Sequence, residues 1–559
     1  MRVPIILGVT GHRDIPNEDW DVISEKIRHH FLHLKHQYPN SPFRLISGLA
    51  EGADRLVAEV ALEAEIGFTL LAALPMDQVD YEKDFQTPAS LAHFHHLIKR
   101  ADKSFVVEST DAGIDNEPTR DEKYLALGRY IARHTQIVIA LWDGVSEQST
   151  PDGKSKIPIG GTADVVRLCR SGQHSDDDLL VLPEITHVDH FYVRRMHQKI
   201  TPNQFQTFQI GELVHLEGEV NAQSQVIALL RSINRFNAFA HLLPSSELNT
   251  SRGYILGCNA PSVVTENLAI PIAIFSAADA AAISRQKEKS SAIKWVSVLA
   301  LASIICQQIY SGPDMRWGWL AGHIGLAILA FIAFLYFFKG THPREEQYLD
   351  WRALAEGLRV QIFWLAAGVN ASVAEHYLSI DRGDLDWIRQ AVRNSATGLE
   401  SLESREAMGW VRNSWLIGQG EFFTKAAPKN KCKYEHFSKL TNRFFIAALI
   451  ITLTTLLVHL TSASDLILNG LVLASGICFL LSAVIKTYAD QMAFEEQHNR
   501  YKGMSQTFTM ALERYDALVV RNNNTQARGV LFNIGKDALA ENAGWLRLHR
   551  QRQYEVNVG

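Results

Sequence analysis

The sequence predicts an α/β domain built on parallel strands, followed by an all-helical membrane region. In the first 170 residues, short apolar stretches end at glycine turns and helical patterns follow them, which is the repeating order of a parallel α/β sheet. Beyond residue 290, four strongly apolar segments stand in two close pairs. We therefore expect two structurally different parts in one chain.

Two early glycine turns have the same surroundings. GVTGHRD (Gly8–Asp14) follows the apolar strand Val3–Leu7, and SGLAEG (Ser47–Gly52) follows Phe43–Ile46; a helical pattern comes after each turn. Glycines let the backbone approach an anion closely, and the free N–H groups of the next helix point at it. For either loop alone, an ordinary strand-to-helix turn is the alternative.

A third set of elements repeats this order. Glu122–His134 reads as a helix, Ile137–Trp142 as a buried strand, and Ile159–Thr162 (IGGT) opens a further helix at Ala163–Leu168. In an open parallel sheet, loops at the carboxyl ends of the strands surround the ligand crevice. We therefore expect the three glycine turns to converge on one crevice.

The candidate ligand contacts are the polar and glycine residues around these turns. Arg13 can grip a phosphate with its planar guanidinium and His12 could donate a further hydrogen bond, although an arginine at a helix start is often only solvated. Tyr81 could stack on a base and an acidic residue could hold a ribose hydroxyl, with a solvated acidic loop as the alternative. The full set is Gly8, Thr10, Gly11, His12, Arg13, Ser47, Gly48, Glu51, Gly52, Asp54, Arg55, Asp77, Tyr81, Trp142, Asp143, Gly160, Gly161 and Thr162.

Five motifs in order resemble the SLOG superfamily of Rossmann-like nucleotide-binding domains: GVTGHRD, LISGLAEGADRL, LPMDQVDYEKDF, the IARH…ALWDG stretch and the GGT turn. That superfamily includes DNA-processing protein A, the lonely-guy phosphoribohydrolases and the amino-terminal domains of TRPM channels. The resemblance implies a nucleotide or nucleotide-derived ligand, such as an ADP-ribose-like molecule or a cyclic nucleotide. The lonely-guy enzymes carry PGGxGTxxE, whereas PIGGTADVV puts Val165 at the position of their catalytic Glu. We therefore expect a binding domain rather than that hydrolase.

Composition limits the other classes of function. A chain of 559 residues needs several domains, since one domain typically has about 100–200 residues. A net charge of -5 gives no reason to expect nucleic acid as a partner, because domains that bind it are usually strongly basic. The five cysteines stand far apart without a CxxC pair, so neither a metal site nor a disulfide framework is predicted. The start MRVPIILGVTG does not read as a signal peptide, which favours a cytoplasmic first domain.

The apolar segments predict four transmembrane helices in two hairpins. These segments are Trp295–Tyr310, Gly318–Phe338, Phe444–Leu460 and Leu466–Ile485. The second and the fourth reach the length of about 20 residues that crosses the hydrocarbon layer, and the other two would use flanking residues such as Lys294 and Arg443 to reach the headgroups. Buried core helices are the alternative, but two close pairs would be unusual in a soluble protein.

The charges around the hairpins predict an orientation. Lysines and arginines precede and follow both hairpins, whereas the two short turns carry only Arg316, offset by Asp314, and Asp465. By the positive-inside rule, both turns face outward and both termini are cytoplasmic. We expect a multi-pass protein of the inner (cytoplasmic) membrane, with membrane lipid as a partner.

Predicted domain boundaries follow from these segments. They are 1–240 for the nucleotide-binding domain, 241–290 for a connector and helix, 291–340 and 441–487 for the hairpins, and 341–440 and 488–559 for cytoplasmic helical regions. Within the connector, Leu242–Ser262 is predicted to be loop-like. The layout looks similar to the SLATT-type two-transmembrane effectors that accompany SLOG domains in bacterial conflict systems. That resemblance implies an anti-phage role and a signal-producing enzyme encoded nearby.

Two functions from different classes fit the sequence. A ligand-gated effector would bind a nucleotide-derived signal and permeabilise the membrane, as a homo-oligomer because four helices per chain line a pore only when several chains assemble. A membrane-anchored enzyme would instead process a nucleotide, but no catalytic constellation with recognisable spacing supports it. Its candidate acids and bases are Glu51, Asp54, Asp77 and Asp143. A transporter is disfavoured because His323 and His459 are essentially the only ionisable groups in the apolar segments. We favour the effector.

Overall fold

The computed structural model divides the chain into two compact units. The first comprises Met1–Leu243 and Ser372–Glu400, and the second comprises Pro244–Ala371 and Ser401–Gly559. The residues that the structure describes are 2–108, 117–145, 148–149, 155–156, 159–172, 184, 186–196, 208–214, 220–257, 259–310, 317–338, 344–377, 385–460 and 464–552. The expected boundaries placed 372–400 in a cytoplasmic helical region, whereas the structure assigns this segment to the first unit.

A seven-stranded sheet forms the centre of the first unit. Its strands are β1 (Ile5–Gly11), β2 (Phe43–Ser47), β3 (Thr69–Leu74), β4 (Lys103–Val106), β5 (Ile137–Trp142), β8 (His187–Tyr192) and β9 (Leu213–Val214); β6 (Gln148–Ser149) and β7 (Ser155–Lys156) form a separate two-stranded sheet. The order across the main sheet is β4-β3-β2-β1-β5-β8-β9, and only the last pair is antiparallel. The prediction of a parallel α/β domain is therefore confirmed.

The sequence explains why β1 and β5 occupy the middle of this sheet. Both are nearly continuous apolar runs, IILGVTG and IVIALW, and almost all of their residues are buried. Central parallel strands have this composition because helices cover both faces of the sheet. The helices in this part of the unit are α1 (Trp20–Gln37), α2 (Ala53–Ala61), α3 (Gln78–Tyr81), α4 (Pro88–Arg100), α5 (Arg120–His134), α6 (Thr162–Ser171) and α7 (Val220–His241).

The strand order reverses at β1. The chain passes from β1 to β2, β3 and β4 on one side, and then returns to place β5 on the other side of β1. In the register of this pair, Gly11 stands beside Leu141, so the two strands end together. In open α/β sheets, ligands bind at the carboxyl ends of the strands where the order reverses. The fold therefore marks the ends of β1 and β5 as the place to look for a site.

Two helices of the inserted segment Ser372–Glu400 complete the first unit. They are α13 (Val373–His376) and α14 (Asp386–Ala396). Although α14 was predicted from its pattern, its position beside the sheet was not. Trp387, Arg393 and Asn394 are all buried, so α14 belongs to the core of the unit.

The second unit is helical. Its helices are α8 (Ser245–Leu256), α9 (Ser262–Asn267), α10 (Ala269–Tyr310), α11 (Trp317–Phe338), α12 (Arg344–Ala366), α15 (Arg405–Val411), α16 (Gly418–His459), α17 (Asp465–Gln491), α18 (Phe494–Val520) and α19 (Asn524–Arg552), with one π-helical stretch at Arg412–Ile417. The loop-like prediction for Leu242–Ser262 is wrong, because α8 occupies most of it. Pro244 precedes that helix and Gly257, with φ of 64°, ends it.

Three helices in the described part are long and apolar enough to cross a membrane. They lie within Ala269–Gln307, Arg405–His459 and Asp465–Val520, and α11 contributes a shorter apolar stretch, Leu320–Ala333. α10 packs along α11 and α16 packs along α17. The expected turns at 311–316 and 461–463 lie outside the described residues. The helices are consistent with a membrane protein.

Candidate ligand-binding site

A cavity of about 460 Å³ opens at the carboxyl ends of β1 and β5. Its size is within the range of small-molecule sites, which is roughly 300–1,000 Å³. Ten of the residues predicted as ligand contacts line it: Thr10, Gly11, His12, Arg13, Asp54, Tyr81, Trp142, Gly160, Gly161 and Thr162. The structure thus brings the three predicted glycine turns together at one edge of the sheet.

The first two glycine turns fit directly against each other. The backbone N–H of Ala53 donates to the carbonyl oxygen of His12 at 3.0 Å. A Cβ atom on Gly52, whose φ is 76°, would lie 2.4 Å from that same oxygen. A Cβ on Gly11 would lie 2.4 Å from the Cβ of Ala53. These two glycines therefore allow the loops to close on each other, which shapes the cavity wall.

The start of α6 forms another wall of the cavity. Gly160 has φ of 70°, and a Cβ there would lie 2.9 Å from the backbone nitrogen of Leu125. Its own N–H donates to Asp164 Oδ2 at 3.0 Å, which fixes the turn. The N-cap residue, Gly161, has no side chain to accept from the first N–H groups of the helix. A helix start of this kind favours an anion, because its backbone donors and its dipole both attract negative charge.

Two arginines add positive charge to the cavity. The guanidinium of Arg13 lies 5.1 Å from the ring centre of Tyr124. Burial acts to lower the pKa of Arg13, but interactions with Tyr124 and Asp54 outweigh it, so that the pKa is raised. Nε of Arg195 donates to Asp14 Oδ1 at 3.0 Å. Because these side chains come from different parts of the chain, the cavity can offer two separate cations to a ligand with several phosphates.

Arg195 was missed in the sequence, although a signal for it exists. It follows β8, which lies beside β5 in the sheet. The β-rich stretch Leu179–Val193 of the sequence contains β8, although residues 179–183 and 185 lie outside the described part. Applying the strand-end rule to this strand would have selected the Arg194-Arg195 pair that follows it.

His12 and Asp143 hold the ends of the two central strands together. Nε2 of His12 lies 3.0 Å from Asp143 Oδ1, and the His12 backbone N–H donates to the carbonyl oxygen of Leu141 at 3.1 Å. Burial acts to raise the pKa of Asp143, but the hydrogen bond with His12 outweighs it and the pKa is lowered. Asp143 itself does not line the cavity, so its role is to position His12.

Asp54 is the acidic side chain with the most unusual environment in the cavity. Burial raises its pKa to about 6, although hydrogen bonds from the backbone of Ala50 and Gly48 act in the opposite direction. A carboxyl with this pKa exchanges its proton near neutral pH. It can accept a hydrogen bond from a ligand hydroxyl when ionised and donate one when protonated.

Tyr81 is placed differently from the expectation that it stacks on a base. Its side chain is fully buried, and its hydroxyl donates to the carbonyl oxygen of Gly48 at 3.0 Å. The ring contacts Phe85 edge-on, with 5.1 Å between ring centres. Tyr81 therefore forms part of the cavity wall. Tyr124, at the entrance to α5, is the more accessible aromatic ring beside Arg13.

The other predicted residues lie outside the cavity lining, and most have structural contacts that explain them. Gly8 is in the middle of β1, where a Cβ would lie 2.6 Å from Ile131 Cγ2. Arg55 is buried and donates to the carbonyl oxygen of Ser90 at 2.8 Å, while the hydroxyl of Ser90 donates to Glu51. Ser47, Gly48, Gly52, Asp77 and Asp143 are the remaining five.

Two of these five residues organise backbone turns. Ser47 Oγ accepts from the backbone N–H of Leu49 at 3.0 Å, in a turn where Leu49 has a positive φ of 55°. Asp77 caps α3, accepting from the backbone N–H of Val79 at 3.0 Å. Both are therefore occupied by local structure.

The contribution of one helix to the site was not predicted. α5 lines the cavity with Tyr124, Leu127, Gly128 and Ile131. Its helical pattern was read correctly, but nothing in that pattern indicates which face meets a ligand. Val165, at the position compared with the lonely-guy glutamate, also lines the cavity and is buried. In the part of the chain that the structure describes, no group of three or more His, Cys, Asp or Glu is placed to hold a metal ion.

Comparison with known proteins adds no assignment. A scan against protein-family models found no match, and a search of curated proteins found none either.

Proposed function

We propose that this protein is a membrane-bound sensor and effector that binds a nucleotide-derived signal and changes the permeability of the membrane. The observation that carries the proposal is the cavity at the reversal of strand order, where a helix start and two arginines converge in a chain that also has long apolar helices.

The cavity suits a ligand that carries phosphate. The start of α6 and the guanidinium groups of Arg13 and Arg195 supply donors and positive charge for phosphate oxygens. Asp54 offers a carboxyl for a ribose hydroxyl, and Trp142 and Tyr124 offer apolar surface for a base. ADP-ribose-like molecules and cyclic nucleotides have these groups. This chemistry also supports membership of the SLOG superfamily.

The effector part would consist of two transmembrane hairpins, α10 with α11 and α16 with α17. The close packing within each pair supports this arrangement. Both termini would lie in the cytoplasm, at the inner membrane, and several copies of the chain would assemble around a pore. An anti-phage role would follow if an enzyme encoded nearby makes the signal during infection.

A nucleotide-processing enzyme anchored in the membrane is the second candidate. Asp54 favours it, because a cavity carboxyl with a pKa of about 6 can act as a general acid or base near neutral pH. Val165 weighs against a lonely-guy type of hydrolysis, since an apolar side chain stands at the compared position.

Liposomes containing the purified full-length protein test both candidates. A fluorescent dye is enclosed, and ADP-ribose and a panel of cyclic nucleotides are added in turn. We expect dye release with one of them and a loss of at least about tenfold in sensitivity for Arg13→Ala, since a charge-assisted contact contributes roughly 1.5–3 kcal/mol. Arg100→Ala is the matched control, because this arginine lies at the end of α4, outside the cavity.

The outcomes separate the two functions. Dye release with an unchanged nucleotide supports the effector. Consumption of the nucleotide without dye release supports the enzyme. If Arg13→Ala responds like the wild type to a nucleotide that releases dye, the assigned cavity is not the binding site.

A further inference from the structure

We propose that α5 and the strands β1 and β5 couple the cavity to the inserted segment Ser372–Glu400. The inference rests on the proposed function and concerns the regulation of the same site. Its basis is that α5, β1 and β5 each contact the cavity at one end and the inserted segment at the other.

Helix α5 is the first of these elements. Tyr124, Leu127, Gly128 and Ile131 of this helix line the cavity. Its last turn contacts the inserted segment instead: Arg133 Nη2 lies 2.7 Å from Glu375 Oε2, and the Arg133 carbonyl oxygen accepts from Arg393 Nη1 at 3.2 Å. Because a helix is stiff along its axis, a displacement of its cavity end is felt at these contacts.

The strands β1 and β5 are the other two elements that join the cavity to the inserted segment. Their carboxyl ends form the cavity, and their amino-terminal ends are held by Asn394 of α14. Nδ2 of Asn394 donates to the carbonyl oxygen of Pro4 at 2.8 Å, just before β1. It also pairs with the side chain of Gln136, just before β5, through two hydrogen bonds of 2.9 and 3.0 Å. Gln136 in turn accepts from the backbone N–H of Ile6 at 2.9 Å.

A buried network of charges fixes the inserted segment in place. Arg393 is 2 % exposed and bridges two carboxylates, with Nη1 2.7 Å from Glu184 Oε2 and Nη2 2.8 Å from Glu375 Oε1. Arg389 also reaches Glu184, at 2.5 Å. A buried network of this kind resists gradual distortion, since displacing one member leaves its partners unpaired in a medium of low dielectric. The network therefore favours two distinct positions of the inserted segment over a gradual series of intermediate positions.

The chain itself links the inserted segment to the apolar helices. It enters the segment from α12, which ends at Ala366, and leaves it into α15, which begins at Arg405. α12 packs against α10, and α15 continues through the π-helical stretch into α16. α10 and α16 are two of the helices that are apolar enough to cross a membrane. The inserted segment is therefore continuous in sequence, on both sides, with helices of the second unit.

Hydrogen exchange in the full-length protein, without any nucleotide, tests this coupling. A Cβ on Gly128 would lie 2.8 Å from Val165 Cγ2, so Gly128→Ala pushes α5 away from α6 at the cavity end. We expect the amides of residues 386–396 to exchange about tenfold faster, within the roughly 5- to 150-fold that coupling between two sites typically gives. The matched control is Gly128→Ala combined with Val165→Ala, which removes the collision and should restore the wild-type rate.

The reverse experiment uses the other end of the coupling. Arg393→Lys keeps the charge but cannot bridge both carboxylates, and it should accelerate exchange of residues 124–131 by about tenfold, because it loses contacts with Glu375 and with the carbonyl oxygen of Arg133 at the end of α5. Rates within about twofold of wild type in either experiment overturn the proposal. So does an equal acceleration in α4, which would mean general destabilisation. Since no nucleotide or membrane current is measured, failure of the proposed function would leave these results unchanged.

Discussion

At the scale of single residues, the cavity combines groups that hold a ligand with groups that hold the cavity open. Arg13 and Arg195 belong to the first kind, because their guanidinium groups line the cavity, that of Arg195 in an ion pair with Asp14. His12 belongs to both kinds: it lines the cavity, and its contact with Asp143 holds the ends of β1 and β5 together. Asp54 differs from these residues in its pKa, which is raised to about 6 because the carboxyl is nearly buried in the cavity wall.

Asp54 gives a prediction for the dependence of stability on pH. Its pKa is about 6 in the folded protein against 3.8 in the reference state, so folding favours the protonated form. Its stabilising contribution is complete below pH 3.8 and is lost as the pH rises through 6. Lowering the pH from 7 to 5 should therefore stabilise the wild type by about 1 kcal/mol more than Asp54→Asn.

Thermal unfolding of the full-length protein in detergent, followed at several pH values, measures this difference. Asp21→Asn serves as the control, because Asp21 is an exposed carboxyl on α1 of the same unit. It should follow the wild type. Parallel curves for the wild type and Asp54→Asn would contradict the assigned environment of Asp54.

At the scale of elements, the site depends on how closely the loops approach each other. The loop after β1 and the start of α2 share a backbone hydrogen bond, and Gly52 leaves room for it. The same loops were selected in the sequence for their ability to approach a phosphate. Their glycines are needed at least as much for contact between the loops. A sequence pattern does not distinguish this requirement from close approach to a phosphate.

Two glycines with positive φ allow this contact to be tested. Gly52→Ala brings a Cβ within 2.4 Å of the His12 carbonyl oxygen, whereas a Cβ on Gly67 would meet only the Ala64 carbonyl oxygen, at 3.7 Å. We expect Gly67→Ala to cost about 1–2 kcal/mol from backbone strain alone. Gly52→Ala should cost at least about 2 kcal/mol more, since a backbone atom must move. Denaturant unfolding measures both, and equal losses would contradict the close contact.

The elements also show what the sequence could predict. β5 was expected at Ile137–Trp142 and is found there, because an apolar run bounded by turns is a local signal. α8 was missed because SSELNTSRGYIL has no apolar stripe. The placement of α14 depends on bonds between Asn394 and Pro4, which are 390 residues apart, and no local pattern contains that information. The same reason explains why Arg195 and the cavity face of α5 were not foreseen.

At the scale of the whole molecule, the arrangement of charges and apolar helices predicts which surfaces face the cytoplasm. α16 exposes Lys429, Lys433, Lys439 and Arg443 before its apolar stretch. α17 begins at Asp465 without a lysine or arginine in its first turn. By the positive-inside rule, this asymmetry predicts that the basic part of α16 faces the cytoplasm and the start of α17 faces outward.

Cysteine labelling in intact cells tests the orientation. Ser464→Cys, at the exposed start of α17, should react with a membrane-impermeant maleimide from outside. The native Cys432 is exposed on the basic part of α16 and should react only after the cells are permeabilised. It is therefore an internal control in the same molecule. Reaction of Cys432 in intact cells would reverse the predicted topology.

The two longest described helices, α10 and α16, differ in how readily they bend. α10 has 42 residues, or about 63 Å of continuous helix, which is roughly twice the thickness of the hydrocarbon layer. After Pro271, its sequence contains neither proline nor glycine, so it lacks the residues at which long helices usually kink. α16 is equally long but contains Pro428 and follows a π-helical stretch, and both are features at which helices bend. A bending force should therefore curve α10 evenly along its length but bend α16 at Pro428 and at its junction with the π-helical stretch.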